Sequence, residues 1–199
     1  MGLENNNANG TYVNISNGRL VVKQNGEQVF YDQLTGIINN LEFVIDEYNQ
    51  KQYEVLRVTL IDDQDKYILK IRTDSGYFRG FVNALKMANI NQPIVISPSS
   101  KEENGKTRTT IFLRQNGKPL KHAFTKDNMG DLPQVERIMV NGVEQWDNTK
   151  QLMYWKTWLM SITWQINNEN INKQEIGVNT TITQEEYDAM ESIDDDLPF

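Results

Sequence analysis

Cationic and aromatic residues at alternating positions of three predicted strands are the residues of this chain whose types and spacing could do chemistry. The segments QYEVLRVTLID, KYILKIRT and TRTTIFLRQNGK alternate apolar with polar residues, the pattern of strands that have one face on a core and one in water. The residues predicted to form a binding face on the wet side and its adjoining loop are Tyr53, Arg57, Lys70, Arg72, Lys106, Arg108, Phe112 and Arg114.

Single-stranded nucleic acid is the ligand that this pattern fits. Lys and Arg side chains neutralise phosphates, and aromatic rings stack on unpaired bases, a contact worth roughly 1–3 kcal/mol per base. A duplex hides its base faces, so the rings contribute only when the strand is single. The plainer interpretation is that solvent-facing strand positions are commonly Lys, Arg or Thr, and that Phe112 covers a sheet edge.

The inventory of reactive side chains argues against an enzyme. The chain has no cysteine and a single histidine, His122, which excludes thiolate sites and zinc sites built on several nitrogen ligands. No glycine-rich phosphate loop of the P-loop or dinucleotide kind occurs. Asp62, Asp63 and Asp65 could hold magnesium in a nuclease, but they fall in a predicted hairpin turn, where acids are common. We expect no catalytic residue, no metal and no cofactor.

Charge is distributed unevenly along the chain. The net charge is −7, but from residue 169 onward nine acids are accompanied only by Lys173, which leaves residues 1–168 at +1. Residues 101–126 have seven Lys or Arg against Glu102 and Glu103. A near-neutral body with a basic segment and an acidic tail indicates polyanion binding together with a tail that contacts partners.

The predicted elements give a mainly β fold. We expect two short strands near residues 11–15 and 19–23, a longer one near 36–45, and then the segments QYEVLRVTLID and KYILKIRT as a hairpin, a helix over YFRGFVNALKMANI, a short strand at 94–97, a flexible loop over PSSKEENGK and the strand TRTTIFLRQ. This order is that of an oligonucleotide-binding barrel (OB-fold), which has five strands and one helix between its third and fourth strands. A ferredoxin-like fold or a generic sandwich is the alternative.

The C-terminal part of the body is ambiguous. VERIMVNGVEQW predicts a hairpin that turns at Asn141-Gly142. Residues 157–167 alternate strictly, which favours a strand after a short helix near residues 148–154. One helical face is also present, formed by Leu152, Trp155, Leu159, Ile162 and Ile166. The tryptophans are expected to lie in the core in preference to stacking on bases; they are Trp146, Trp155, Trp158 and Trp164.

The chain ends in DDDLPF, an acidic run with an apolar tip. This ending resembles the C-terminal tip of bacterial and bacteriophage single-stranded DNA-binding proteins, and the matching residues are Asp194, Asp195, Asp196, Leu197, Pro198 and Phe199. The resemblance implies that the terminal Phe and its carboxylate enter a basic-rimmed apolar pocket on replication, recombination and repair proteins, with the aspartates steering the encounter. It also implies that the acids compete with DNA for the basic face.

These features predict a divergent, phage-encoded single-stranded DNA-binding protein that coats and protects the strand and recruits partners through its tip. The alternative is a protein-interaction module that mimics such a tail and does not bind DNA. We expect a disordered N-terminus at residues 1–10, an OB-fold-like domain at 11–168 and a disordered acidic tail at 169–199. Since no signal peptide or membrane-length apolar run occurs, we expect no membrane contact and a location in the cytoplasm of a bacterium or an infected host cell.

Overall fold

The computed structural model describes residues 10–178 of the chain, with side chains described as far as residue 168. The chain divides into two compact units, the first ending at Thr163 and the second beginning at Trp164. The elements are β1 (Thr11–Ser16), β2 (Arg19–Gln24), β3 (Glu27–Tyr31), β4 (Leu34–Tyr48), β5 (Lys51–Asp62), β6 (Asp65–Arg72), α1 (Gly76–Leu85), β7 (Ile94–Glu103), β8 (Lys106–Gln115), β9 (Lys118–Pro119), β10 (Glu136–Val140), β11 (Val143–Asp147) and α2 (Thr149–Val178). No helix in this part of the chain is long and apolar enough to span a membrane.

The predicted mainly β class is confirmed. Nine strands form one sheet in the order β3-β2-β1-β6-β5-β4-β7-β8-β9, and β10 and β11 form a separate hairpin. Neighbouring strands are antiparallel except for β1 and β6, which run parallel. Strand β3, which the sequence did not predict, pairs with β2 along its whole length.

Asn-Gly dipeptides make four of the tight turns of the nine-stranded sheet and the turn of the β10–β11 hairpin. Both residues have positive φ in each of the pairs Asn17-Gly18, Asn25-Gly26, Asn104-Gly105, Asn116-Gly117 and Asn141-Gly142. Two consecutive residues in this conformation make a turn whose twist matches that of the flanking strands. The turn at Asn104-Gly105 corrects the predicted flexible loop at residues 98–106, because it lets β7 and β8 stay paired as far as Glu103 and Lys106.

The core lies on the inner face of β5 and β6, as the alternation predicted. Leu56, Val58 and Leu60 of β5 are fully buried, and Leu69 and Ile71 of β6 are buried beside them. Helix α1 adds the apolar side chains Phe78, Phe81, Val82 and Leu85. On the opposite face Val55, Thr59 and Ile68 are also buried, so the wet face is narrower than the sequence predicted.

The predicted five-stranded barrel is not closed. Within the described residues β6 and β8 do not pair, because each meets another element: β6 pairs with β1, and α1 lies against β8. Pro98 stands opposite Ile111 and has no N–H to donate, and the backbone nitrogen and carbonyl oxygen of Ile111 lie beside Gly80 of α1.

Two glycines bring α1 onto this strand. A Cβ atom at Gly80 would lie 2.8 Å from the backbone nitrogen of Ile111, and one at Gly76 would overlap the carbonyl oxygen of Thr109. The helix backbone can therefore approach the edge of β8 only because both positions lack a side chain. The helix covers the edge that a closing strand would use.

One continuous helix, α2, replaces the short helix and strand predicted for residues 148–167. The helical face that the sequence also offered is the one that packs, with Trp155, Leu159 and Ile162 buried. The ring of Trp155 lies 5.6 Å from that of Phe124, centroid to centroid. The helix continues to Val178, past residue 168, where the acidic tail was predicted to begin.

Lys86, at the end of α1, joins α1 to α2. Its ammonium donates a 2.8 Å hydrogen bond to the hydroxyl of Tyr154 and lies 5.2 Å from the ring centroid of Trp158 and 5.4 Å from that of Phe124. A cation enclosed by several rings is held electrostatically by their faces. This cluster fixes the first turns of α2 against α1.

The α1–β8 contact predicts the effect of a small substitution. Gly80→Ala should lower the free energy of unfolding by about 1–3 kcal/mol, because overpacking against a backbone atom outweighs the roughly 1 kcal/mol that alanine gains as a helix former. Urea denaturation followed by circular dichroism measures the change. Arg79→Ala, at an exposed position of the same helix, is the control and should leave stability nearly unchanged. Equal or greater stability of Gly80→Ala would contradict the close contact.

Candidate nucleic-acid interface

The predicted binding residues fall into two groups. Tyr53, Arg57, Lys70 and Arg72 lie together on the outer face of β5 and β6, where Arg57 stands directly opposite Lys70. The other group lies on β8 and comprises Lys106, Arg108, Phe112 and Arg114. Strands β4 and β7 separate β5 from β8 in the sheet. The structure therefore does not merge the eight residues into one continuous patch.

Cations and rings are in direct contact in the first group. The guanidinium carbon of Arg72 lies 4.1 Å from the ring centroid of Tyr53, and the ammonium of Lys70 lies 5.2 Å from that of Tyr12. Tyr12 is 45% exposed. A cation over a ring face is held there electrostatically, so each of these rings has a positive charge next to it.

Tyr12 is a site residue that the sequence analysis missed. It belongs to β1, and it reaches the face only because β1 pairs in parallel with β6, with Tyr12 opposite Ile68. The alternation of Tyr12 with the buried Val13 is visible in the sequence as a strand signal. Nothing local indicates which sheet edge that strand joins, because the pairing is between residues far apart in the chain.

An open groove of about 650 Å³ runs beside these residues; we call it the β5–β6 groove. Tyr53, Lys70 and Arg72 line one side, the start of α1 contributes Tyr77, and Thr109 of β8 lines the far side. The groove thus lies at the place where a closed barrel would have paired β6 with β8. Three carboxylates, those of Asp46, Glu47 and Asp74, also line it, so the groove mixes cations and rings with acids.

Acidic side chains correct the expectation of a basic face. Asp46 of β4 accepts a 2.7 Å hydrogen bond from the ammonium of Lys70 and a 3.1 Å bond from the guanidinium of Arg57. The hydrogen bond from Lys70 is the largest cause that lowers the pKa of Asp46 below its ordinary value. Arg72 is held in the same way by both carboxylate oxygens of Asp74. Each cation of this group therefore already has an anionic partner.

The second group carries fewer rings and looser contacts. Phe112 is 54% exposed on the outer face of β8, and Arg114 donates a 3.3 Å hydrogen bond to the side chain of Gln33. Arg108 forms a 3.1 Å ion pair with Glu103, and both side chains are mostly in water. Exposed pairs of this kind contribute little free energy and exchange readily for another anion.

The tryptophans have different environments. Trp155 is buried in the core as expected, and Trp158 is half-buried beside Lys86. Trp146 and Trp164 are about two-thirds exposed, so the core prediction is wrong for these two. Trp146 lies under the guanidinium of Arg137 at 4.4 Å on the β10–β11 hairpin, away from the strands that carry the predicted site.

Comparisons with protein-family models, with curated proteins and with solved structures find no match. The six residues of the predicted partner-binding tip, 194–199, lie outside the described residues. In the part of the chain that the structure describes, no cluster of three or more His, Cys, Asp or Glu side chains could hold a metal ion.

The Asp46 ion pairs predict a measurable pKa change. Lys70→Met keeps the apolar stem and removes the main contact, so the pKa of Asp46 should rise toward about 3.9, the value for an unperturbed aspartate. A lowered folded pKa contributes stability above the unfolded value, and this stability is lost as pH falls through the folded pKa. The variant should therefore lose less stability on acidification. A carboxyl ¹³C NMR titration measures the pKa, with Lys23→Met on β2 as the control; an unchanged Asp46 would contradict the pairing.

Proposed function

We propose that the protein is a non-enzymatic single-stranded DNA-binding protein, which coats and protects exposed strands during DNA replication, recombination and repair. The observation that carries this proposal is the pairing of cations with rings beside an open groove: Arg72 on the half-buried Tyr53 and Lys70 on the exposed Tyr12. Bases would stack on the rings while phosphates meet the cations, a mode that tolerates any base sequence because every base has a π-face.

The strand order supports an OB-type binding mode. Strands β6-β5-β4-β7-β8 are adjacent in this order, with α1 between β6 and β7 in sequence. An OB barrel opened between its third and fifth strands would have this strand order. Such folds bind oligonucleotides on the face of their second and third strands and with the loops after the first and fourth strands. The corresponding parts here are the β5–β6 face and the turns at Asn49-Gln50 and Asn104-Gly105.

The acidic tip supports a second activity, the recruitment of partner proteins. The residues DDDLPF resemble the tip of single-stranded DNA-binding proteins. Phe199 and its carboxylate would enter a basic-rimmed apolar pocket on replication, recombination or repair proteins, and the aspartates would speed the encounter through long-range attraction. Since the tail is acidic and the body near neutral, the same tail could occupy the cations of the body when no DNA is bound.

Binding DNA would require an exchange of partners at Asp46 and Asp74. A phosphate that approaches Lys70 or Arg72 must replace a carboxylate that already neutralises the cation. The free energy gained per contact is the difference between the two pairings. The salt dependence of binding, with a slope near −0.7 per phosphate contact for a single strand, counts how many cations make the exchange.

The decisive experiment removes one cation–ring pair. Fluorescence anisotropy of labelled oligo-dT and of a matching duplex, with the full chain, should show salt-sensitive preference for the single strand. The double variant Tyr53→Ala with Arg72→Ala should weaken binding about tenfold or more, because it removes a stacking ring and a phosphate contact together. Its matched control is Trp146→Ala with Arg137→Ala, which deletes the same kind of pair from the β10–β11 hairpin. Equal losses in both variants would argue against the β5–β6 groove.

Asp46 gives a prediction of opposite sign. Asp46→Asn removes a negative charge that competes with phosphate for Arg57 and Lys70, so affinity for oligo-dT should rise, by about threefold or more at low salt. The control is Asp32→Asn, which breaks the 2.9 Å ion pair with Arg19 on the distant β2–β3 hairpin. The measurement is the same anisotropy titration. A loss of affinity in Asp46→Asn would show that Asp46 positions the cations instead of competing for them.

The neutralised face also favours one alternative, a protein-interaction module that carries the same tip and does not bind DNA. Arg57, Lys70 and Arg72 each have an acidic partner, as a face with no polyanion ligand would. If the protein is such a module, neither oligo-dT nor the matching duplex should bind at low salt, while partner proteins should still bind through the tip. The anisotropy titration on the unaltered protein therefore separates the two functions.

A further inference from the structure

A second groove lies between α1 and β8, and we call it the α1–β8 groove. It encloses about 500 Å³ and is lined by Gly76 and Gly80 of the helix and by residues 107–110 of the strand. Arg79, Arg108 and His122 stand at its sides, and no carboxylate is among the described residues that line it. The groove is therefore lined by threonine side chains, by the glycines of the helix and by the guanidinium groups of Arg79 and Arg108.

This lining differs in chemistry from that of the β5–β6 groove. Apart from the imidazole of His122, no ring is among the described lining residues, so the groove offers no row of stacking surfaces. Arg79 is exposed, and Arg108 pairs with Glu103 in an exposed ion pair that exchanges easily. Guanidinium groups beside hydroxyls are the groups that bind phosphate oxygens, because they donate several hydrogen bonds to a delocalised anion.

The two grooves adjoin. Thr109 lines both of them, and at the start of α1 Gly76 lines one while its neighbours Ser75 and Tyr77 line the other. Asp74, the acid nearest this junction along the chain, is held by a bidentate pair with Arg72. At this junction the helix backbone at Gly76 contacts Thr109, so a strand that passes from the rings of the β5–β6 groove to the cations of the α1–β8 groove would cross over this contact.

We propose that the α1–β8 groove is a second nucleic-acid subsite, which binds the phosphodiester backbone of a single strand after it leaves the β5–β6 groove. The strand crosses the seam of the open sheet at Thr109. Arg79 and Arg108 contact its phosphates, and the threonine hydroxyls donate to the same oxygens. This subsite rests on the proposed function, because it extends the path of the same ligand; it would make contact with backbone and not with base edges.

The experiment varies the length of the ligand. Affinities of the full chain and of Arg79→Ala are measured for oligo-dT of about 4 and about 16 nucleotides, the two ends of the range that OB-type domains cover. Arg79→Ala should weaken binding of the long oligonucleotide about three- to tenfold and reduce its salt slope by about 0.7, while the short one, held in the β5–β6 groove, is unaffected. Arg79→Lys retains the charge and should restore most of the affinity.

Lys121→Ala is the matched control, since it removes a charge from an exposed position next to His122 but outside the groove lining. Equal losses for the short and long oligonucleotides, or the same loss in Lys121→Ala, would overturn the subsite in favour of a general electrostatic field. A long oligonucleotide that binds tightly and ignores Arg79→Ala would also overturn it and leave the proposed function intact. If no oligonucleotide binds the unaltered protein, both the proposed function and the second subsite are wrong.

Inorganic phosphate, compared with chloride at constant ionic strength, distinguishes a free anion from a polymer. If the groove binds the backbone of a strand, phosphate should weaken the long oligonucleotide only at concentrations far above those of the competing nucleotide phosphates. If millimolar phosphate abolishes the difference between unaltered protein and Arg79→Ala, the groove is a site for a free anion and the proposed path is wrong.

Discussion

The contact between α1 and the edge of β8 is the constraint on which both grooves depend. Because Gly76 and Gly80 let the helix backbone meet Thr109 and Ile111, the edge of β8 is occupied and cannot pair with β6. The sheet therefore stays open along this seam. One groove forms on the β6 side of the seam and another between the helix and β8, with Thr109 common to both. A side chain at either glycine would push the helix away and alter both surfaces together.

Because β8 does not pair with β6, this edge of β6 is open to the N-terminal strands. Strand β1 pairs in parallel with β6 and brings Tyr12 next to Lys70, while Val13 and Leu20 complete the core behind them. The backbone nitrogen of Gly18, in the β1–β2 turn, donates a hydrogen bond to the hydroxyl of Tyr77 at the start of α1. An open barrel would otherwise expose an unpaired strand edge, which invites pairing with other chains. Strand β1 pairs with that edge and adds the ring of Tyr12 to the candidate face.

The cations of the β5–β6 face are neutralised by neighbouring acids, and this bears on the proposed function. Asp46 neutralises two cations of the β5–β6 face and Asp74 a third, so these three cations are already paired with acids. A ligand that offers only phosphates gains little from exchanging one anion for another. A single strand offers bases as well, and stacking on Tyr53 and Tyr12 adds free energy that a carboxylate cannot match. Under the proposed function, local neutralisation would therefore favour ligands with exposed bases over duplexes.

The sequence by itself determined the alternation of β5, β6 and β8, and with it the outward position of Arg57, Lys70, Arg72 and Phe112. These follow from a period of two within one strand, and the Asn-Gly turns are equally local because such a pair favours positive φ at both residues. The DDDLPF ending is likewise a property of the sequence alone. Only the tertiary structure decided that Asp46 neutralises the cations, that Tyr12 joins the face and that the two groups of site residues lie on separate strands. It also decided between helix and strand for residues 157–167, where both patterns were present and packing of Trp155 against Phe124 selected the helix. In each of these cases the deciding contact joins residues far apart in the chain or depends on strand order, and local periodicity carries no information about either.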